Sequence, residues 1–387
     1  MRRWNRPIAL FLIVLLVLLP ACISPSRWSA TLVIGGNETA FDAAAWRQLV
    51  DAFGEEVDGR RAVPLERVLW ENGARAVETV ALNGTAYAGP EYGRRAWDEY
   101  YDRAWWFGDG RLRVGEESVR AERVIVTAPD LLARATASIV DIAPTVASAL
   151  GLPAPKQATG RVLTDVRAER VLLLFLDAYG YIRHREALES GLNPRIAALG
   201  EPLCATTTYP STTSISTASL LTGAPPIVHG VRVQGIRKTD TETLFDVAAA
   251  AGLRVVAVEG GQLAFNLRNA ETILSGDKDG NGSTDDNTYA NTLSVLETDT
   301  PDLLFVHFHG IDDEGHNYGP LTPPEEAKIA EVDGYVGDIV DRLPPGTLVI
   351  LFADHGMHAV QEDDRLGNHG SLLARDVFIP ILLYVVP

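Results

Sequence analysis

The chain has 387 residues, 46% hydrophobic and 22% charged, a globular composition with room for two domains or one large α/β domain with an appendage. Its formal charge of −17 excludes a nucleic-acid-binding surface, which needs clustered Lys and Arg, and disfavours docking on anionic lipid through a basic face. An anionic ligand would be repelled unless a metal ion reversed the local field.

The first element is an export signal, residues 1–21. Arg2, Arg3 and Arg6 precede the 12-residue apolar run "IALFLIVLLVLL", and "LPAC" closes it at Cys22. A membrane span needs roughly 20 apolar residues, so the run is too short to cross as a helix. "LLPAC" resembles a bacterial lipobox, which implies a lipid anchor on Cys22 and a place in the cell envelope; plain secretion and an uncleaved anchor are the alternatives. Cleavage removes three Arg and no acid, so the mature charge is −17 − 3 = −20. Cys204, in the apolar "PLCA", then has no disulfide partner and reads as a small buried hydrophobe.

Residues 23–135 read as an α+β accessory domain. "TLVIGG" predicts a strand, "FDAAAWRQLVDAFG" an amphipathic helix and "VPLERVLWENG" a shorter one; aromatics concentrate in "RRAWDEYYDRAWWFGDGRLRV". No catalytic constellation stands out there.

Residues 136–387 read as the catalytic domain. "RVLLLFLDA", "LRVVAVEG", "PDLLFVHFHG", "TLVILFADHG" and "VFIPILLYVV" are continuous apolar runs, the mark of strands buried on both faces. Helices are expected near 185–199, 214–221, 241–251, 287–297 and 324–342. The alternation predicts a doubly wound, mostly parallel sheet flanked by helices, with ligands bound at the carboxyl ends of its strands. Those ends carry Asp177, then Asp312 and His316 in "GIDDEGHNYGP", then Asp354 and His355, with His369 following in "GNHG". One Asp at a strand end is ordinarily a cap or turn former; three strands ending in Asp, two with a nearby His, point to a zinc or manganese site.

These motifs, with the hydroxyl-rich "YPSTTSISTASLLTG" of residues 209–223, resemble the alkaline phosphatase superfamily in its type I phosphodiesterase/nucleotide pyrophosphatase branch. The resemblance covers roughly residues 168–387. It implies one metal ion held by Asp177, Thr213, Asp354 and His355, and a second held by Asp312, His316 and His369. It also implies a Thr nucleophile at a helix start, nine residues before the closing "TG", which is Thr213. Alignment on "TYP" would instead nominate Thr208, and Thr212 is a further candidate. The implied activity is phosphate-ester hydrolysis of a small-molecule substrate, through a phosphothreonine intermediate. Phosphoethanolamine transferases share the "GxDxxGHxxGP" pattern, and a catalytically idle ligand-binding lipoprotein is the other alternative. Sulfatases need a C-x-P-x-R context, which is lacking.

His307 and His309 alternate on one strand face and read as core or supporting groups; His229 and His358 read as structural and His184 as solvated. "DKDGNGSTDD" matches a calcium loop, with Asp277, Asp279, Asn281, Ser283 and Asp285 at positions 1, 3, 5, 7 and 9, and Thr288 where position 12 wants Glu. Residues 138–163 resemble the segment that superfamily members carry after their last metal histidine, which implies a circularly permuted domain with this segment beside the C-terminal strand.

Overall fold

The computed structural model describes residues 28–88, 104–360 and 365–387; Cys22 and the apolar run before it lie outside them. Among the described residues no helix is long and apolar enough to cross a membrane.

The N-terminal strands are β1 (Ser29–Ile34), β2 (Asn37–Asp42), β3 (Glu55–Val57), β4 (Arg60–Pro64), β5 (Thr79–Leu82), β6 (Thr85–Ala88), β7 (Trp105–Phe107), β8 (Arg111–Val114), β9 (Glu117–Arg120) and β10 (Arg123–Thr127). Among the described residues they form two sheets, ordered β2-β1-β10-β5-β6 and β3-β4-β7-β8-β9. Helix α1 (Ala43–Phe53) starts where the Asp42 carboxylate accepts from the amides of Ala44 and Ala45, and ends at Gly54. Helix α2 (Leu65–Glu71) is short and largely buried. The clustered aromatics become core: Trp106 packs 5.9 Å from Trp28 and edge-on to Phe41 at 4.8 Å.

The second sheet system is built from β11 (Ala137–Ser138), β12 (Val171–Leu176), β13 (Leu203–Thr206), β14 (Val255–Glu259), β15 (Glu271–Leu274), β16 (Leu303–Phe308) and β17 (Leu348–Phe352). A small hairpin, β18 (His358–Ala359) with β19 (Gly367–Asn368), precedes the last strand, β20 (Phe378–Val385). The order is β11-β13-β20-β17-β12-β16-β14-β15. Every pairing is parallel except the two that β20 makes with β13 and β17. This is the doubly wound, parallel-rich α/β sheet that the continuous apolar runs predict. All six residues of β12 are buried, so both faces of the sheet are covered. Their burial contributes about 1.5–3 kcal/mol per large apolar side chain.

The helices are α3 (Ile142–Ala149), α4 (Tyr181–Glu189), α5 (Pro194–Ala198), α6 (Thr213–Thr222), α7 (Pro226–His229), α8 (Leu244–Ala250), α9 (Asp285–Thr298), α10 (Gly310–Tyr318), α11 (Pro323–Val340) and α12 (Ala374–Val377). The single helix expected over 185–199 is two, because Gly191 turns with φ +70° and Pro194 restarts the chain as α5. Within the segment 138–163, α3 packs with α6 and α8, and β11 pairs with β13, the neighbour of β20.

From β12 the chain passes to β13 on one side and then to β14 on the other. Such a reversal of winding opens a crevice at the carboxyl ends of the strands. The reversed β20 brings its amino end, with the preceding loop, to that same edge. The N-terminal sheets are seated beside it. Leu69, Phe41 and Trp106 share one apolar cluster with Cys204, Tyr209, Leu372, Val377 and Phe378. The buried Glu66 carboxylate accepts from the Leu372 amide at 3.2 Å and the Tyr209 hydroxyl at 3.1 Å, and Val77 bridges to Leu373.

Candidate metal centre

Asp177 follows β12 directly, and the chain turns away at Ala178, whose φ is +58°. Asp354 and His355 follow β17 in the same way, one strand over. Asp312 and His316 lie one turn apart on α10, so both face the crevice from the end of β16. His369 follows β19, on the loop that leads to β20. Thr213 is the first residue of α6, whose chain arrives from the end of β13.

These seven side chains meet in one place, in two overlapping groups. His355 Nε2 lies 3.4 Å from Asp177 Oδ1, 3.2 Å from Asp354 Oδ2 and 3.3 Å from Thr213 Oγ1. His316 Nε2 lies 3.3 Å from Asp312 Oδ2, and His369 Nε2 lies 3.5 Å from Asp312 Oδ1. The His355 and His369 rings stack at 3.6 Å, which joins the groups.

The tautomers follow from the backbone. His316 Nδ1 is 2.8 Å from the Gly367 carbonyl, His355 Nδ1 3.1 Å from that of Gly356, and His369 Nδ1 3.0 Å from that of Ser211. A carbonyl only accepts, so each Nδ1 carries the proton and each Nε2 turns its lone pair toward the carboxylates. Asp177 Oδ1, Asp312 Oδ1 and Asp354 Oδ2 are buried and accept no hydrogen bond. Lone pairs crowded against buried anionic oxygens repel unless a cation lies among them. The residues therefore fit divalent metal, and the nitrogen–oxygen donor set suits zinc or manganese.

The charge balance says the same. Burial, then the neighbouring Asp312 charge, pushes the Asp177 carboxyl well above the usual carboxylate range; burial and then Asp177 do likewise to Asp354. Burial works to raise Asp312 too, but His316 and His369 outweigh it and hold it down to about 2. Burial pushes His355 down to about 3 and His369 well below the imidazole range.

A second tier stands behind Asp177. His307 is clamped between Asp177 Oδ2 at 3.1 Å and Glu259 Oε2 at 3.0 Å, and stacks 3.6 Å from the Phe175 ring. His309 reaches Glu259 at 3.2 Å and Asp177 at 3.6 Å. Asp177, His307 and His309 are also close enough to hold a cation together. Glu259 is a group that sequence reasoning missed, although it ends the apolar run "VVAVE" as Asp177 ends its own. Burial works to raise Glu259, and His307 outweighs it, bringing its carboxyl down to about 2.

Thr213 lines a cavity of about 300 Å³ with Asp177, His309, Asp312, Gln234 and Arg237. Gln234 and Arg237 were likewise not singled out from sequence. Thr208 is buried elsewhere in the same segment. Thr212 caps α6 without a side-chain capping bond and faces a different cavity.

Two expectations are corrected. His184 is buried, not solvated, because it shares the inward face of α4 with Tyr181 and Ala187. Asp285 is withdrawn from the 277–288 loop: it is fully buried, and its two oxygens accept from the His309 and Gly310 amides at 2.9 and 3.0 Å, capping α10. In the same loop Asp277 accepts from the Gly280, Asn281 and Gly282 amides, Asp279 and Asn281 bond each other, and Ser283 accepts from Lys328 Nζ. Position 9 is thus turned inward, while Lys328 meets the hydroxyl of Ser283 and not the carbonyl that position 7 would offer. His358 and His229 are structural, on Asp376 at 2.8 Å and Ser219 at 2.9 Å.

Residues 277–380 match the family model described as Type I phosphodiesterase / nucleotide pyrophosphatase; the matched segment holds Asp312, His316, Asp354, His355 and His369. Among curated relatives, GPI ethanolamine phosphate transferase 3 of Eremothecium gossypii is 41% identical over 69 residues, covering 18% of this chain and 6% of the relative. The catalytic subunit of the human enzyme of that name is 27% identical over 121 residues, 31% of this chain and 10% of the relative. The match thus spans a tenth or less of those relatives' length. Similar solved structures include phosphonoacetate hydrolase of Sinorhizobium meliloti, with 17% identity, TM-score 0.42, and 55% of this chain and 59% of that one covered. Murine ectonucleotide pyrophosphatase/phosphodiesterase 5 gives 14% identity, TM-score 0.45, and coverage of 56% and 88%.

Proposed function

We propose that the chain is a divalent-metal-dependent phosphoesterase in which Thr213 is the nucleophile. The observation that carries this reading is the convergence of three Nδ1-anchored imidazoles and three donorless carboxylate oxygens beside a hydroxyl at a helix start. Asp177, Asp354, His355 and Thr213 would hold one ion, and Asp312, His316 and His369 the other. Bound there, the ions would supply Lewis acidity that lowers the pKa of a coordinated hydroxyl and offsets charge on in-line oxygens.

The protein's own part is position and charge. The start of α6 offers amides without partners inside the helix and a positive dipole end, which suits the oxygens of a phosphoryl group. The bond from Thr213 Oγ1 to phosphorus forms as the bond to the leaving oxygen breaks, and the departing alcohol takes up the proton that Thr213 loses. Water then attacks the phosphothreonine, phosphate from a monoester or a phosphomonoester from a diester is released, and the Thr213 hydroxyl returns.

A second reading keeps the first half-reaction and replaces water by an alcohol acceptor. It is favoured by the curated relatives, which are named as ethanolamine phosphate transferases. Turnover of bis(p-nitrophenyl) phosphate and p-nitrophenyl phosphate, with and without chelator, tests both readings, and added ethanolamine or glycerol separates them by product. Chelator-sensitive release of p-nitrophenolate supports the phosphoesterase; release that is absent, or untouched by chelator, rejects it. Export and anchoring through Cys22 are proposed with it, from the sequence of residues 1–22. Loss of membrane association in Cys22→Ala is the expected result.

A further inference from the structure

A second cavity, of about 480 Å³, lies beside the catalytic one, between the N-terminal sheets and the start of α6. Phe53, Arg67, Tyr209, Thr212, Arg232 and Gln234 line it, and Gln234 lines the catalytic cavity as well. Thr212 faces one cavity and its neighbour Thr213 the other. The two spaces therefore flank the same helix start.

Its chemistry is cationic at depth. The Arg67 guanidinium lies 4.3 Å from the Phe53 ring centre and 4.8 Å from that of Tyr209. Arg232 lies 5.1 Å from the same Phe53 ring. Arg67 is 4% exposed, and among the described residues its one hydrogen bond runs to Glu71 at 3.2 Å. Arg232 donates to the Ala52 carbonyl at 3.1 Å, while its buried Nε has no partner. The Thr212 hydroxyl, 1% exposed, is also without one. Two guanidiniums around one ring, with an unpartnered hydroxyl beside them, form a donor set that matches an oxyanion. Glu55 and Glu56 line the cavity too: Glu56 is exposed and screened by water and Glu55 is half-buried, whereas Arg67 is fully buried.

We propose that this cleft is a second anion subsite, which takes a phosphate carried by the substrate apart from the one that Thr213 attacks. The proposal rests on the phosphoryl-transfer reading and gives it a substrate class: molecules with two phosphate groups separated by a short spacer. It also gives the N-terminal region a role, since Phe53 and Arg67 belong to it.

The test uses the metal-loaded full chain and inhibition of bis(p-nitrophenyl) phosphate turnover. Propane- to hexanediol bisphosphates are compared with the corresponding monophosphates, which keep a hydroxyl at the far end. At least one bisphosphate should inhibit about tenfold more tightly than its monophosphate, the size of one charge-assisted contact. Arg67→Met and Arg232→Gln should each bring that ratio close to one, and Arg67→Lys should keep it above one. The ratio does not depend on how much folded protein each preparation contains, and the half-buried Arg232 guards against misfolding at Arg67. Equal inhibition by both series in the wild type, or a preference untouched in both neutral variants, overturns the subsite. Absence of any turnover overturns the phosphoesterase reading instead.

Discussion

The two halves of the centre solve one electrostatic problem differently. Around Asp177, two carboxylates share the His355 imidazole, and all three groups are buried to 3% exposure or less; His307 and His309, on the far side of Asp177, are shared with Glu259. Around Asp312, one carboxylate meets two imidazoles, and the side chains of Asp312 and His316 remain 15% and 13% exposed. The first half leaves negative charge uncompensated, which is why burial and mutual repulsion drive Asp177 and Asp354 toward protonation. The second half holds a single carboxylate, which His316 above all holds down, and Asp312 stays ionised. On the proposed two-ion reading, the first half needs a cation to offset its carboxylates more than the second does.

Four measurements break or sharpen that contrast. The largest effect belongs to Thr213→Ala, which should reduce turnover about 10³-fold or more while metal content stays near that of the wild type, because Asp177, Asp354 and His355 remain. Thr213→Ser, which keeps the hydroxyl, should retain measurable activity. Wild-type turnover in the Ala variant removes the assignment.

Next come ligand variants, paired across the halves. His369→Ala should lower occupancy of the ion proposed for the Asp312 half, whereas Asp354→Asn should deplete the buried half. Equal, total loss of both ions in both variants would show that the halves are a single site, and the contrast would fall.

Acidification should then separate them. Burial works to lower His316, but Asp312 outweighs it, so its pKa is raised and the imidazole takes a proton while the pH is still high for such a group. A protonated Nε2 cannot bind metal. His355, held down to about 3, keeps its lone pair far below that pH. Metal content followed through dialysis at falling pH should show the ion of the Asp312 half leaving as His316 takes its proton, and the other ion leaving as Asp177 and Asp354, raised above the carboxylate range, take theirs; an ion kept in the Asp312 half well below the imidazole range would contradict this. The smallest effects, a few-fold in turnover, are expected for Thr208→Ala and Thr212→Ala. A collapse confined to Thr208→Ala would move the nucleophile there.

Much of this was legible in the amino-acid order, for a physical reason. Strands buried on both faces must be continuously apolar, so "VLLLFL" and "LVILF" announce themselves, and a charged residue ending such a run marks the edge where ligands bind. Strand direction leaves no such trace, because an apolar run reads alike both ways; the reversal of β20 emerges only from its pairing. Asp285 misleads because a calcium loop and a helix cap favour the same residue, and only the two amides it accepts from distinguish them. The Glu259–His307–Asp177 chain joins three strands far apart in sequence, and Arg67 meets Arg232 across 165 positions, so no local pattern holds either.

The buried carboxylate of Glu66 carries an evolutionary consequence. It accepts at once from the loop that leads from His369 and from the tyrosine that opens the threonine segment, over an apolar contact shared with Phe378. A recombination event that exchanged the N-terminal region for a foreign one would leave the Leu372 amide and the Tyr209 hydroxyl without their acceptor, at about 1–3 kcal/mol each. It would also bare the apolar patch around them. Inheritance should therefore keep the two regions together: substitutions at Glu66 are expected to be accompanied by changes at Tyr209, and hybrids that join unrelated partners at this seam should be lost to selection.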